Sequence, residues 1–229
     1  MNPELPASAE EPLEALLEML ATERAPIARS TVRSARDVHI ADSLAALELE
    51  PVSGASRIAD LGSGAGLPGL VLAASLPATR VDLIEASRRK CEFISSAIER
   101  MGIQNATVVC ERSEEWAGPE SGGREAYEVV TARAVGSLAT LAELASPLLA
   151  DGGVLAAWKG ARSLTEEAEL ERSATELAME PVEVRPVKPY PATRGRHIHL
   201  VRKNGPTPNR LPRRPGMAAK RPFGAEPEV

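Results

Sequence analysis

Leucines mark the first element. Leu13, Leu16, Leu17 and Leu20 recur at helical spacing, and Pro12 suits a first turn, so the pattern predicts a helix over 11–20. A second helix is predicted over 36–49, where Val38, Ala41, Leu44, Ala45 and Leu49 share a face, and Pro51, Ser53 and Gly54 then break the chain. From residue 57 the period changes, and short apolar runs alternate with helical patterns. Strands are predicted over 57–60, 80–85, 106–110, 126–131, 153–158, 181–187 and 197–202. Helices are predicted over 67–76, 87–101, 138–149 (interrupted at Pro147) and 164–179. Ser87 suits an N-cap and Gly102 a helix end. Such alternation requires crossover connections and therefore a parallel sheet. Pro189, Pro191 and Gly195 predict a loop joining the last two strands. Beyond Lys203, Pro206, Pro208, Pro212, Pro215 and Pro222 exclude a helix or an internal strand. The organisation expected is a helical cap over 1–54, an α/β domain over 55–203 and a basic, proline-rich tail over 204–229.

Composition narrows the class. The 229 residues, 43% of them hydrophobic, can bury a core without staples. Cys91 and Cys110 cannot make a disulfide framework and read as small core residues, which points to a reducing cytoplasm. The histidines and cysteines match no zinc spacing, so no metal is expected. No apolar run can span a bilayer, and residues 1–11 lack a basic leader, so neither a membrane partner nor a signal peptide is expected. Aromatic content of 3% argues against broad stacking platforms for single strands. The net charge of -5 conceals an asymmetry: residues 1–184 carry 16 Lys+Arg and 30 Asp+Glu (-14), whereas residues 185–229 carry 11 and 2 (+9). A basic end on an acidic body predicts either an anionic partner met locally or a solvated tail that contacts nothing.

The densest chemical signal is IADLGSGAGLPG, residues 58–69. A strand ends at Asp60, and Gly62, Gly64, Gly66 and Gly69 follow before a helix opens near Leu67. Glycines allow sharp turns and a close ligand approach, and in open parallel sheets the ligand crevice lies beyond the carboxyl ends of the strands. GAGLPG satisfies the dinucleotide fingerprint by letters, which leaves an NAD-dependent oxidoreductase open. The fuller Asp-x-Gly-x-Gly-x-Gly pattern is the form of S-adenosylmethionine sites, where Asp60 can organise the turn and the polar end of the ligand. In both readings Glu85 ends the second strand and can accept hydrogen bonds from two ribose hydroxyls. A bare structural turn is the third reading.

The run IADLGSGAGLPGLVLA, then VDLIEASRRKCEFI, TARAVGSLATL and WKG, resembles the glucose-inhibited division protein B family of bacterial 16S ribosomal RNA 7-methylguanosine methyltransferases. HIADSL upstream, and GRHIHLVRK and NRLPRRPGMAAKRP downstream, extend the resemblance over about residues 36–222. The chain departs from the family where it reads ATERAPIARSTVRSARDV, in place of Trp-Asn and Asn-Leu-Thr stretches. The resemblance implies a class I methyltransferase, Rossmann-like, with a mostly parallel sheet and an antiparallel final strand. It places the methyl-donor contacts on Gly62, Leu67, Glu85, the adenine-bracketing pair Ser113–Glu114, and Arg133. A non-catalytic, nucleotide-sensing RNA-binding module with the same crevice is the remaining rival.

Methyl transfer from a sulfonium to guanine N7 is an in-line displacement with no proton to remove, so positioning should dominate and no general base is expected. Arg133 suits the methionine carboxylate, guanine O6 or a phosphate, or else an ion pair with Asp60 or Glu85. Lys159, Arg196 and His197 are candidates for RNA, and Trp158 and His39 read as packing residues. In the tail, Arg210, Arg213, Arg214, Lys220 and Arg221 are placed to neutralise phosphates of 16S ribosomal RNA or the small subunit. A cytoplasmic monomer is expected.

Overall fold

A computed structural model describes residues 5–22, 25–26, 35–191 and 193–224. Helix α1 (Glu10–Leu20) buries Leu13, Leu16 and Leu20, the stripe that predicted it. The second predicted helix changes pitch along its length. π-helical turns over Ala35–Ile40 pass into α2 (Ala41–Leu44) and then a 3-10 segment, Ala45–Glu48. Pro51 does not break the chain there. It occupies the first turn of α3 (Glu50–Ser53), where its missing N–H costs nothing. Most of the departing stretch ATERAPIARSTVRSARDV lies outside the described residues.

The α/β part follows in alternation: β1 (Arg57–Leu61), α4 (Gly69–Ser75), β2 (Arg80–Ile84), α5 (Arg88–Met101), β3 (Ala106–Val109), α6 (Ser113–Trp116), β4 (Tyr127–Arg133), α7 (Leu138–Ala145), β5 (Leu149–Lys159), α8 (Leu164–Leu177), β6 (Met179–Val187) and β7 (Arg196–Lys203). Ser87 stands at the N-cap of α5 but makes no side-chain cap, while Gly102 ends that helix in the left-handed conformation (φ 66°). The strand order is β3-β2-β1-β4-β5-β7-β6, with β7 antiparallel to both β5 and β6 and the other pairings parallel. Successive strand residues point to opposite faces. Ile58, Val154, Ala156 and Trp158 therefore join α1, α4 and α5 in one core, while Ala59, Leu155 and Ala157 join α7 and α8 in the other.

The tail expectation needs correction. The prolines do not prevent a short helix, α9 (Met217–Lys220), which falls between Pro215 and Pro222. Leu211 and Phe223 pack into the α7–α8 core. Lys203 is fully buried, donating to Glu125 Oε1 (3.0 Å), the Leu149 carbonyl (2.8 Å) and Thr207 Oγ1 (2.6 Å), and burial holds its pKa below the usual lysine value.

The cysteine expectation is overturned as well, because Cys91 and Cys110 form a disulfide. Parallel pairing of β2 with β3 puts the residue after Val109 beside the first turn of α5, at a Cα–Cα distance of 5.8 Å. That proximity is tertiary and has no signature in a spacing of 19 residues. The cysteine content therefore no longer argues for a reducing compartment.

Candidate functional site

Strand register assembles the site. Leu61 pairs with Ile84 on β2 and with Ala132 on β4. The next residues along these strands, Gly62, Glu85 and Arg133, thus emerge together at the carboxyl edge of the sheet. Strand order reverses there, between β1 and β4, which is where open α/β sheets place their ligand crevice.

The glycine turn is held by its neighbours. Gly62 and Ser63 N–H both donate to the Ile84 carbonyl (2.9 and 3.1 Å), and Gly62, Gly64 and Gly66 take φ of 67°, 61° and 83°. A Cβ on Gly62 would lie 2.7 Å from Val135, and one on Gly66 would lie 2.4 Å from Leu70. On Gly64 it would meet open space among the described residues, with the Gly62 carbonyl at 3.8 Å. Asp60 is buried beneath the turn. It accepts from Gly69 N–H (3.2 Å) and Thr131 Oγ1 (2.8 Å), and burial raises its pKa above the ordinary aspartate value. Asp60 therefore organises the turn from below, and Leu67 packs into the apolar core rather than onto the cleft wall.

Glu85, nearly buried, accepts from Gly64 N–H through Oε2 (3.0 Å) and from Ser87 N–H through Oε1 (2.8 Å). The carboxylate is thus oriented by the backbone of both the glycine turn and the start of α5, with lone pairs left for further donors. It lines an open cleft of about 320 Å³ together with Gly62, Ser113, Glu114 and Val135. The cleft also takes in Lys90, Thr140, Gly216, Ala218 and Ala219, which the sequence reading missed. Lys90 sits one turn into the helix after Glu85 and could have been found from that spacing; the rest come from α7 and the tail.

Arg133 departs from both expected acidic partners. Its Nη1 meets Asp42 Oδ2 at 3.3 Å, and Arg196 Nε approaches the other carboxylate oxygen at 3.9 Å. Asp42 is buried in α2, and its carbonyl accepts from Trp158 Nε1 (2.9 Å), which fixes that indole in the core. Asp42 lies inside the HIADSL segment, so motif resemblance carried the signal, although the pairing is visible only in three dimensions. Among the described residues the buried His39 Nε2 has no hydrogen-bond partner, and burial lowers the ring's pKa.

The RNA candidates divide. Lys159 is turned onto Glu166 (2.7 Å) and the Gly136 carbonyl (3.0 Å), and His197 Nδ1 lies 3.0 Å from the Gly160 carbonyl. In the tail, Arg213 forms a two-pronged pair with buried Glu143 at 2.5 Å, and Arg210 meets Glu176 at 2.6 Å. Those two guanidiniums also stack on Phe223, 4.2 and 4.7 Å from its ring centre. Arg214, Lys220 and Arg221 are exposed. Among the described residues no group of acidic, histidine or cysteine side chains could hold a metal, and no helix is long and apolar enough to cross a membrane.

Comparison with known proteins agrees with this geometry. Residues 11–197 match the family described as rRNA small subunit methyltransferase G. The chain is 37% identical to the ribosomal RNA small subunit methyltransferase G of Pelotomaculum thermopropionicum, over 81% of this chain and 77% of that one. It is 39% identical to the Rubrobacter xylanophilus protein of the same name, over 81% and 72%. Among solved structures, a mutant of MtNAS in complex with S-adenosylmethionine shares the fold with a TM-score of 0.56 at 16% identity, covering 86% of this chain and 73% of that one. The pre-rRNA processing protein fibrillarin of Methanococcus jannaschii shares it with a TM-score of 0.54 at 19% identity, covering 72% and 74%. Between the methyl-donor and dinucleotide readings of the glycine turn, these relatives select the first.

Proposed function

This chain belongs to the rRNA small subunit methyltransferase G family, and from that premise we propose that it methylates N7 of one guanine in 16S ribosomal RNA with S-adenosylmethionine. The observation that carries the reading is the shared rung beneath Gly62, Glu85 and Arg133 at the sheet's switch point. The cleft suits the donor. Open space above Gly64 admits a ligand against the turn, and Glu85 is pre-oriented to accept from a ribose diol.

When bound, S-adenosylmethionine supplies an activated methyl group and departs as a neutral thioether. Guanine N7 offers an in-plane lone pair and has no proton to lose. The protein's part is therefore alignment of the two partners, and the cleft needs no general base. Glycine backbone and Glu85 hold the donor. Arg133, clamped by Asp42 at the cleft edge, keeps further N–H donors for guanine O6 or an RNA phosphate. A cation beside N7 itself would oppose the positive charge that develops on the base.

Exposed Arg214, Lys220 and Arg221, with Arg196, form the RNA-facing charge, His197 adds a ring donor or acceptor beside them, and Lys159 joins them if RNA displaces Glu166. Such contacts give salt-dependent affinity and little sequence information. Selection of the guanine then rests on RNA shape and an accessible base. The protein acts as a cytoplasmic monomer on ribosomal RNA or the small subunit and uses no metal.

The test is transfer of labelled methyl groups to small-subunit RNA from a strain lacking this protein, followed by mass mapping. One new 7-methylguanosine in 16S RNA is expected. Label on another atom or another RNA would overturn the proposal.

A further inference from the structure

We propose that residues 216–219 of the tail are part of the methyl-donor site, forming the wall against which the donor's purine packs. The inference rests on the methyl-donor reading above and adds binding residues to it. Glu85, at the end of β2, fixes where a ribose sits. The same cleft is lined by Ser113, Glu114, Thr140, Gly216, Ala218 and Ala219. A flat ring joined to that ribose has this space to enter, and small side chains from the tail narrow it without filling it.

The wall is fastened from several directions. Glu114 Oε1 accepts from Gly216 N–H at 2.7 Å, which ties the tail to α6. Thr140 Oγ1 donates to the Ala218 carbonyl at 3.1 Å, which ties it to α7. Arg213 grips Glu143 on the same helix as Thr140. Arg213 and Arg210 together hold Phe223, and Arg172 Nε donates to the Gly224 carbonyl at 2.9 Å. Gly224 (φ 74°) lies so close to α8 that a Cβ would sit 2.2 Å from the Glu169 carbonyl, so the tail at Gly224 is seated against that helix. Two of the tail's arginines thus act inward, as fasteners of the donor site.

Binding of S-adenosylhomocysteine and of adenosine, followed by calorimetry at low and at high salt, tests this. The proteins compared are the full chain, a chain ending at Pro215, and Ala219→Trp, which places a bulky ring at an exposed position on the wall. Both variants are expected to bind each ligand about tenfold more weakly or worse. The loss should be the same at both salt concentrations, because no phosphate contact is involved. If the shortened chain is unfolded by circular dichroism, Ala219→Trp decides. A folded variant that keeps the full chain's affinity for S-adenosylhomocysteine to within a factor of about two overturns the tail wall. Failure of the full chain to bind S-adenosylhomocysteine strikes the methyl-donor reading itself, and the wall falls with it.

Discussion

Two walls of one cleft are built in opposite ways. The glycine turn is local: Gly62, Gly64 and Gly66 lie within five residues, and their anchors Ile84 and Glu85 end the adjacent strand. The tail wall is remote: Gly216 reaches Glu114, 102 residues away, and Ala218 reaches Thr140, 78 residues away. The turn depends on backbone conformations that glycine alone adopts at low cost. The tail depends on ion pairs and side-chain hydrogen bonds to helices that must already be folded. A local wall fails through one backbone angle, whereas a remote wall fails through the loss of its fasteners.

Gly64→Val should give the largest effect. It forces a branched residue into φ 61° and fills the open space above the turn. Donor binding should disappear while circular dichroism still reports a folded protein. Retained affinity would make the turn purely structural.

Glu85→Ala comes next. It removes the carboxylate that should bind the ribose and that also anchors Gly64 and Ser87 N–H, so donor affinity should fall by about 2–3 kcal/mol. Calorimetry on the purified variant checks this, and a loss of only a few tenths would remove Glu85 from the site.

Arg133→Lys probes the residue that precedes Ala134 at the cleft. The charge remains, but the fork held by Asp42 is lost. KM for RNA should rise by about tenfold while donor affinity stays within about twofold. If donor affinity moves and the RNA KM does not, Arg133 belongs to the methionine end of the donor.

The smallest effect concerns the root of the tail. Hydrogen bonds from Thr207, first its hydroxyl and then its N–H, with that of Lys203, hold Glu125 at a pKa of about 2 against a usual 4.5. A depressed carboxylate pKa stabilises the fold fully above the unfolded value and loses that contribution as pH falls toward the folded one. Thermal melts should therefore show stability declining from about pH 4.5 toward about pH 2. Glu125→Gln should flatten that part of the profile, and an unchanged slope would show that this anchor contributes nothing.

The period of the apolar pattern already determined the alternating strands and helices, because burial on both faces of a sheet demands it. The chemistry of the turn was equally legible, since close ligand approach and left-handed backbone both require glycine at particular steps. Boundaries moved by a few residues: β5 begins at Leu149 rather than Gly153 because it pairs with Tyr127 across a bulge, which no propensity encodes. Helix α6 is only four residues long, too short for a period to show.

Composition misled where it summed charges without partners. Residues 185–229 carry a formal +9, yet Lys203 is buried, and Arg210 and Arg213 face Glu176 and Glu143. The Cys91–Cys110 bond, the Asp42 clamp on Arg133 and Arg196, and the tail's place in the cleft share the same origin. Each joins segments that meet only after the sheet has set their register and the helices have packed on its faces. Periodicity and motif spacing describe neighbours along the chain. Ion pairs, buried cations and cleft walls depend on distances across it, and those came from the tertiary structure alone.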